Sequence, residues 1–333
     1  MSSVVSKMIY FGYFLKSANY KELRQNINFV SKEKEVSKIK IVGDFLSSSI
    51  KYESSFEDYF DLRFFDMPKG ERKNYATTGI MKQYHTQKNQ KKEAEYFRNK
   101  FLFSEKFPSY TKRSFLQTDD VSEEEIAKWF VTHESFIAKP LSGQVGKGVE
   151  KLSVNDFESL NTLITYLKTN KLNLLEEVID QHEDMSSLNP TSVNTVRVMT
   201  DLHNDKVRIL GASLRIGMGG IVDNMAAGGI AAPVDPETGI VSGTAMSKSV
   251  KREIYSEHPI TGAAITGIQL PYWEEVLKMV RAAALVVPEV KSVGWDVAIT
   301  PNGPAIIEGN DNWDKVLWQM PQSKGLKYML DSK

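Results

Sequence analysis

Apolar residues recur at helical spacing through Phe157, Leu160, Leu163, Ile164 and Leu167, which predicts a helix with one stripe facing a core. Ser122 followed by Glu125 is a capping box that opens another helix through Phe130. A third helix, Trp273 to Val286, is stopped by Pro288. Strands are expected at Ser135 to Lys139, Leu174 to Ile179, Val193 to Leu202 and Lys206 to Ile216, the last two joined by the polar turn His203-Asn204-Asp205. Gly294 to Asn310 reads as two strands around Thr300-Pro301-Asn302-Gly303. Pro presets φ and Gly admits a left-handed residue, so a three-residue loop, Pro301 to Gly303, pairs Thr300 with Pro304. The N-terminal run Val4, Val5, Met8, Ile9, Tyr10, Phe11, Phe14 and Leu15 is interrupted by Lys7 and Lys16. It is too short to span a bilayer and reads as an amphipathic helix in preference to a membrane-surface anchor.

Residues 1–95 are rich in Lys, Ser and aromatics, with Phe56, Tyr59, Phe60, Phe64 and Phe65 crowded around Asp58, Asp61 and Asp66, and read as an accessory domain. The run Lys88-Asn89-Gln90-Lys91-Lys92 reads as a solvated helix face. From Asn99 the texture changes, and the order of elements is α+β. The chain has 333 residues, 41% of them hydrophobic, enough for a large core and two or three subdomains. Lys plus Arg and Asp plus Glu are equal at 42 each, so no net field favours nucleic acid or an anionic membrane. The chain lacks cysteine, which excludes disulfides, thiolate metal sites and a cysteine nucleophile, and fits a cytoplasmic location.

Several segments could carry chemistry. Counting back along the C-terminal hairpin sets Asp296 opposite Glu308, with Asn310 on the same face. Three oxygen donors there suit Mg²⁺ with room for substrate phosphates; the same face could simply meet water. Lys139-Pro140 precedes a glycine-rich stretch with Gly143, Gly146 and Gly148, whose backbone N–H groups could approach phosphate or could form a structural turn. It is neither a Walker motif nor a Rossmann fingerprint. Leu174 to Glu183 is a strand running into an acidic loop. Arg197 and Arg215 lie on neighbouring strands among apolar residues, where each guanidinium needs an anionic partner, either a core carboxylate or a ligand. Asp223 to Gly229 offers a flexible loop with the Asn224 amide beside it.

Taken in order, these segments resemble the ATP-grasp superfamily across roughly residues 96–318. The resemblance identifies Lys100 and Lys139 with the phosphate-contacting lysines, and Gly143 to Gly148 with the glycine-rich lid. Glu176, Glu177 and Ile179 match the adenine-holding hinge, Glu183 the ribose-binding acid, and Asp296, Glu308 and Asn310 the metal ligands. Arg197, Arg215 and the loop from Asn224 match segments that hold the transferred phosphoryl group and the acyl substrate. Gln181-His182, Ser192 to Arg197, Val222 to Asn224, Gly228-Gly229 and Gly294-Trp295-Asp296 bring it closer to the sugar-transfer-associated ATP-grasp group. The resemblance implies an ATP-grasp fold of two α+β subdomains, residues 96–178 and 179–333, clasping a nucleotide behind the divergent N-terminal domain. It further implies a ligase that uses ATP and two Mg²⁺ ions, for which Mn²⁺ can substitute. Such a ligase joins a small-molecule acid and an amine through an acylphosphate in surface-polysaccharide biosynthesis; it needs no nucleic acid or membrane insertion and is compatible with a homodimer. A kinase on the same fold and a non-catalytic nucleotide-binding regulator are the alternatives. The complete metal set speaks against the second of these, and the N-terminal region lacks the glycine-rich turn of better-known ligases.

Overall fold

The computed structural model describes residues 19–141 and 148–331, together with Gly12, Phe14 and Lys16. The expected N-terminal amphipathic helix therefore falls mostly outside the described residues.

Two antiparallel sheets frame the site. The smaller has four strands in the order β1-β4-β2-β3, with β1 at Phe115–Gln117, β2 at Ser135–Lys139, β3 at Glu150–Ser153 and β4 at Leu174–Glu177. Helices Glu123–Thr132 and Leu160–Asn170 supply Ile126, Phe130, Leu163 and Leu167 to a core with Phe136 and Leu175. The first helix opens on the expected capping box of Ser122 and Glu125. The second starts later than the apolar spacing suggests, because Ser159 caps it by accepting a hydrogen bond from the Thr162 amide. Phe157 instead packs from the preceding turn.

The larger sheet has seven strands in the order β11-β10-β5-β6-β7-β8-β9. These are β5 Thr195–His203, β6 Lys206–Ile216, β7 Ile230–Val234, β8 Ala245–Ser247, β9 Ile254–Tyr255, β10 Ser292–Thr300 and β11 Gly303–Asn310. Asn204 and Asp205 both take left-handed φ, 48° and 59°, so the two-residue turn from β5 to β6 matches the strand twist. Helix Trp273–Ala283, three residues shorter than expected, covers one face through Trp273, Val276 and Val280 against Trp295, Val297 and Ile299.

The C-terminal hairpin closes one residue tighter than the turn chemistry suggests. Thr300 pairs with Gly303, not Pro304. A bulge between Asp296 and Val297 then restores the offset: Val297 faces Ile306 while Asp296 faces Glu308, leaving Ile307 as the extra residue. The Asp296–Glu308 pairing is thus present, but through two shifts that compensate.

Helices Tyr20–Glu33, Lys38–Tyr52 and Phe56–Asp61 form an aromatic core in which Phe45, Phe56, Tyr59, Phe60 and Phe64 interlock. Helix Thr78–Lys88 leaves that core and lays Met81 and Tyr84 against Met199, Leu210, Trp313 and Trp318 of the large sheet and the C-terminal segment. The Lys88 run is not a solvated face at its start. Lys88 Nζ lies 2.7 Å from the fully buried Asp201, and Asn89 exchanges hydrogen bonds with Ser292 while donating to the Asp311 carbonyl. Burial of Asp201 demands a cation, and this requirement overrides the local charge pattern. Gln319 ties the C-terminal segment to the N-terminal region by accepting from the Ala76 amide and donating to its carbonyl. No helix among the described residues is long and apolar enough to cross a membrane.

One buried and one partly buried group on this N-terminal contact titrate in opposite senses. Burial lowers the His85 pKa from 6.5 to about 4, although the bond to Asn312 and the charge of Asp311 oppose it. Burial raises Asp61 from 3.8 to about 6, against the pull of Lys248 and Lys315. Between pH 4 and 6.5 the unfolded chain holds the His85 proton and the native state does not, so this term raises stability with pH, by about 3 kcal/mol in all. Between pH 3.8 and 6 the native state alone keeps the Asp61 proton, so this term lowers stability by a similar amount. The two slopes offset each other. Denaturant midpoints measured across this range should fall with rising pH in His85→Gln and rise in Asp61→Asn; parallel curves for both variants and the parent would refute the assignment.

Candidate active site

The large sheet brings four charged side chains together on β5, β6, β10 and the loop after β6. Register sets Arg197 opposite Asp296 across β5 and β10, and Arg215 lies one strand further on β6. Arg197 donates through Nε to Asp296 Oδ1 and through Nη2 to Oδ2 at 2.8 Å. Arg215 donates to Asp296 Oδ2 and to Asp223 Oδ1, each at 2.7 Å. Asp223 also accepts from the Thr195 amide at 2.9 Å and from the Thr195 hydroxyl. All four charged residues are buried, at 4–7% exposure, and their charges cancel. Of the two partners open to the arginines from sequence, the core carboxylate is the one found here. Gly294 makes room: a Cβ there would sit 2.6 Å from Trp313 and 3.2 Å from the Arg197 stem.

Burial opposes ionisation of Asp296, but the two guanidinium groups hold its carboxyl far below the ordinary range. Glu308 behaves differently. Burial, and then the adjacent Asp296 charge, push its pKa up, while Arg197 and Lys139 only partly compensate. Asn310 Nδ2 lies 3.3 Å from Glu308 Oε1 and 3.4 Å from the Gly294 carbonyl, which turns its amide toward this carboxylate. Among the described residues no three His, Cys, Asp or Glu side chains converge as a metal cage. The donor set is two carboxylates and an amide, and Asp296 already has both oxygens engaged. Glu308 and Asn310 fit a hard divalent cation, because Glu308 is an acid short of positive charge.

Cations gather beside this cluster at the end of the small sheet. Lys139, at the end of β2, lies 2.7 Å from Glu176 Oε2, and Arg113 Nη2 reaches the same oxygen at 3.2 Å. Burial would raise the Glu176 pKa, yet Arg113 and Lys139 bring it down to about 2. Lys100, in the helix Lys100–Lys106 capped by Asn99, donates to the Pro140 carbonyl at 3.3 Å. Its pKa is lowered by burial and then by Lys139, with Glu308 and Glu176 pulling the other way, so charges from both sheets meet here.

Arg113 leaves no local signal in the sequence. It donates to the Ile306 and Ile307 carbonyls of β11 at 2.9 and 3.0 Å, while neighbouring Lys112 donates to the Pro304 carbonyl at 2.9 Å. Asp223 was legible only as part of a loop, not as the partner of Arg215.

The remaining candidates are more dispersed. Glu177 accepts from the Ser114 amide at 3.0 Å; β4 ends there, so Ile179 lies half-buried beyond the strand, and Glu183 is exposed at the start of the short helix Glu183–Ser186. Asn224 accepts from the Ala226 amide at 2.8 Å and caps a tight turn. Gly229 is required in that turn, since a Cβ would meet the Asp223 carbonyl oxygen at 2.3 Å. Gly143 and Gly146 lie outside the described residues; Gly148 has φ 72°, and a Cβ there would come within 3.3 Å of the Pro140 ring.

Solved structures similar to this chain include a carboxyaminoimidazole ribonucleotide synthetase, purK, in complex with ADP, at 12% identity and TM-score 0.40 over 66% of this chain and 46% of that one. The ATP-grasp ligase PsnB, complexed with a precursor variant, Mg and ADP, gives 13% identity and TM-score 0.41 over 76% and 65%. D-alanyl-alanine synthetase A from Vibrio cholerae gives 13% identity and TM-score 0.40 over 69% and 60%. The chain thus spans about half the length of the first and under two thirds of the other two. Among the curated proteins no match is found. The family model described as sugar-transfer associated ATP-grasp matches residues 80–332, which include both sheets and the charged residues gathered between them. The chain belongs to the sugar-transfer associated ATP-grasp family.

Proposed function

We propose that this chain is an ATP- and Mg²⁺-dependent carboxylate–amine ligase that forms ADP and proceeds through an acylphosphate. One observation carries this reading: two charge clusters of opposite sign lie beside each other, with Lys139 close enough to act on Glu308. On one side Lys139 and Arg113 share a single carboxylate, Glu176; on the other the Arg197, Arg215, Asp223 and Asp296 charges cancel, and Glu308 remains as negative charge compensated only in part. A triphosphate chelating a divalent cation has the complementary polarity.

Lys100 and Lys139 neutralise phosphate oxygens, and Glu308 and Asn310 hold the metal, with Asp296 as a shared neighbour. The bound Mg²⁺ supplies charge stabilisation to the transferring phosphoryl group. Arg197 commits Nε and Nη2 to Asp296, so its Nη1 is the donor that can meet a phosphoryl oxygen. Arg215 spends both terminal nitrogens on Asp296 and Asp223, which makes it the strut that keeps Arg197 in place. The tight Asn224 turn borders the acyl end. The acid and the amine are small molecules, and a carboxylated sugar fits the family's association with sugar transfer.

Screening ADP release against pairs of acids and amines tests the reaction: release that needs both supports ligation, whereas release with a hydroxyl compound alone would make the chain a kinase. Two substitutions then separate chemistry from folding. Glu308→Gln should abolish ADP release in single turnover while leaving the melting temperature unchanged or slightly higher, because the Glu308 charge is unfavourable in the ligand-free fold. Asp296→Asn should destabilise the protein by about 3–5 kcal/mol, because two buried guanidinium groups lose their shared anion. Calorimetry supplies a further check: Lys139→Ala should weaken Mg·ADP binding by about 10-fold or more, the worth of one charged hydrogen bond. Unchanged affinity would remove Lys139 from the phosphate site.

A further inference from the structure

We propose that Arg113 is a positioning residue that couples Lys139 on the small sheet to the aim of Glu308 on the large one. The inference rests on the nucleotide and metal reading above and adds a route between its two halves.

The route begins at one oxygen. Glu176 Oε2 receives both Lys139, at 2.7 Å, and Arg113, at 3.2 Å. The Arg113 side chain, only 5% exposed, then crosses to the other sheet and donates to the carbonyls of Ile306 and Ile307. Ile307 is the residue inserted by the bulge in β11. That bulge decides where Glu308 points. In an unbroken ladder Ile307 would face Asp296 and Glu308 would face Trp295, whose side chain is buried in the core on the opposite side of the sheet. One inserted residue returns Glu308 to the Asp296 face, and Arg113 holds the two carbonyls that bracket the insertion. The guanidinium fork is suited to this bridge, because one planar group reaches two carbonyls and a carboxylate, which a lysine ammonium cannot reproduce with the same geometry.

The consequence is directional. An anionic phosphate competes with Glu176 for Lys139. As Lys139 turns to the phosphate, Glu176 keeps Arg113 as its remaining cation, and the Glu176–Arg113 contact strengthens. Nucleotide arrival on one sheet thereby firms the bulge that presents Glu308 on the other, before any metal is bound.

Hydrogen exchange of the peptide spanning residues 304–310, with ADP and no metal, reads this directly. In the parent protein ADP should slow exchange there; in Arg113→Lys, which breaks the forked link to the Ile306 and Ile307 carbonyls, ADP at a concentration that saturates each protein should bind without slowing it. Equal protection by ADP in both proteins would overturn the proposal. Arg113→Lys keeps the charge and removes the fork. It should exchange faster at 304–310 without ligand, bind ADP nearly as well as the parent in the absence of metal, and lose about 10-fold of the affinity that Mg²⁺ adds. A purely structural Arg113 would instead lower ADP affinity equally with and without Mg²⁺, and that result would overturn the coupling. If the parent protein binds ADP with no gain from Mg²⁺, the nucleotide–metal reading fails, and the coupling with it.

Discussion

The constraint on which the site depends is the cost of burying Arg197 and Arg215. A guanidinium withdrawn from water is tolerated only when its charge is met and its donors are used. Asp296 meets both arginines at once, and Asp223 completes the count. The result links β10, β5, β6 and the loop after β6 through side chains as well as through the ladder. Register, the glycine at position 294 and the tight turn beyond Asp223 are all conditions for that arrangement. Because the four charges cancel among themselves, the next acid beside them is compensated only in part. Glu308 is set apart not by unusual chemistry of its own but by the completeness of the pairing beside it.

The N-terminal helices take part in this construction from a distance. Lys315, just beyond the hairpin, pairs with Asp58 at 2.8 Å, and Lys248 lies between Asp61 and Asp314 at 3.5 and 3.8 Å. Asn89 holds the backbone on both sides of the hairpin, at Ser292 and Asp311, while Arg98 reaches the Asp311 carboxylate at 2.6 Å. The segment that follows Asn310 is therefore fixed by residues from well outside the sheet.

Much of this was legible in the sequence wherever the signal was local. Strands Ser135–Lys139 and Lys206–Ile216, the Ser122 capping box and the polar turn before β6 all lie where the pattern sets them, because each is decided by residues a few positions apart. The facing of Asp296 and Glu308 was also legible, although two-residue counting hid a tighter turn and a bulge of opposite effect. What escaped was non-local. Arg113 meets Glu176 and Ile306 across gaps of 63 and 193 residues, and Asn89 meets Asp311 across 222. No periodicity or capping rule joins such residues; only the folded sheets bring them together. Lys88 and Asn89 misled for the same reason, since a run of polar residues reads as solvated until a buried acid elsewhere claims one of them.

Strand β11 is the outer strand of its sheet, and an outer strand normally offers a row of unpaired carbonyls to any passing chain. Here Lys112 occupies the Pro304 carbonyl and Arg113 those of Ile306 and Ile307, so consecutive cations sit where an eighth strand would add. Protection from intermolecular sheet extension is thus built into the element that presents the acid. The same two side chains therefore serve both the edge of the sheet and the site it carries.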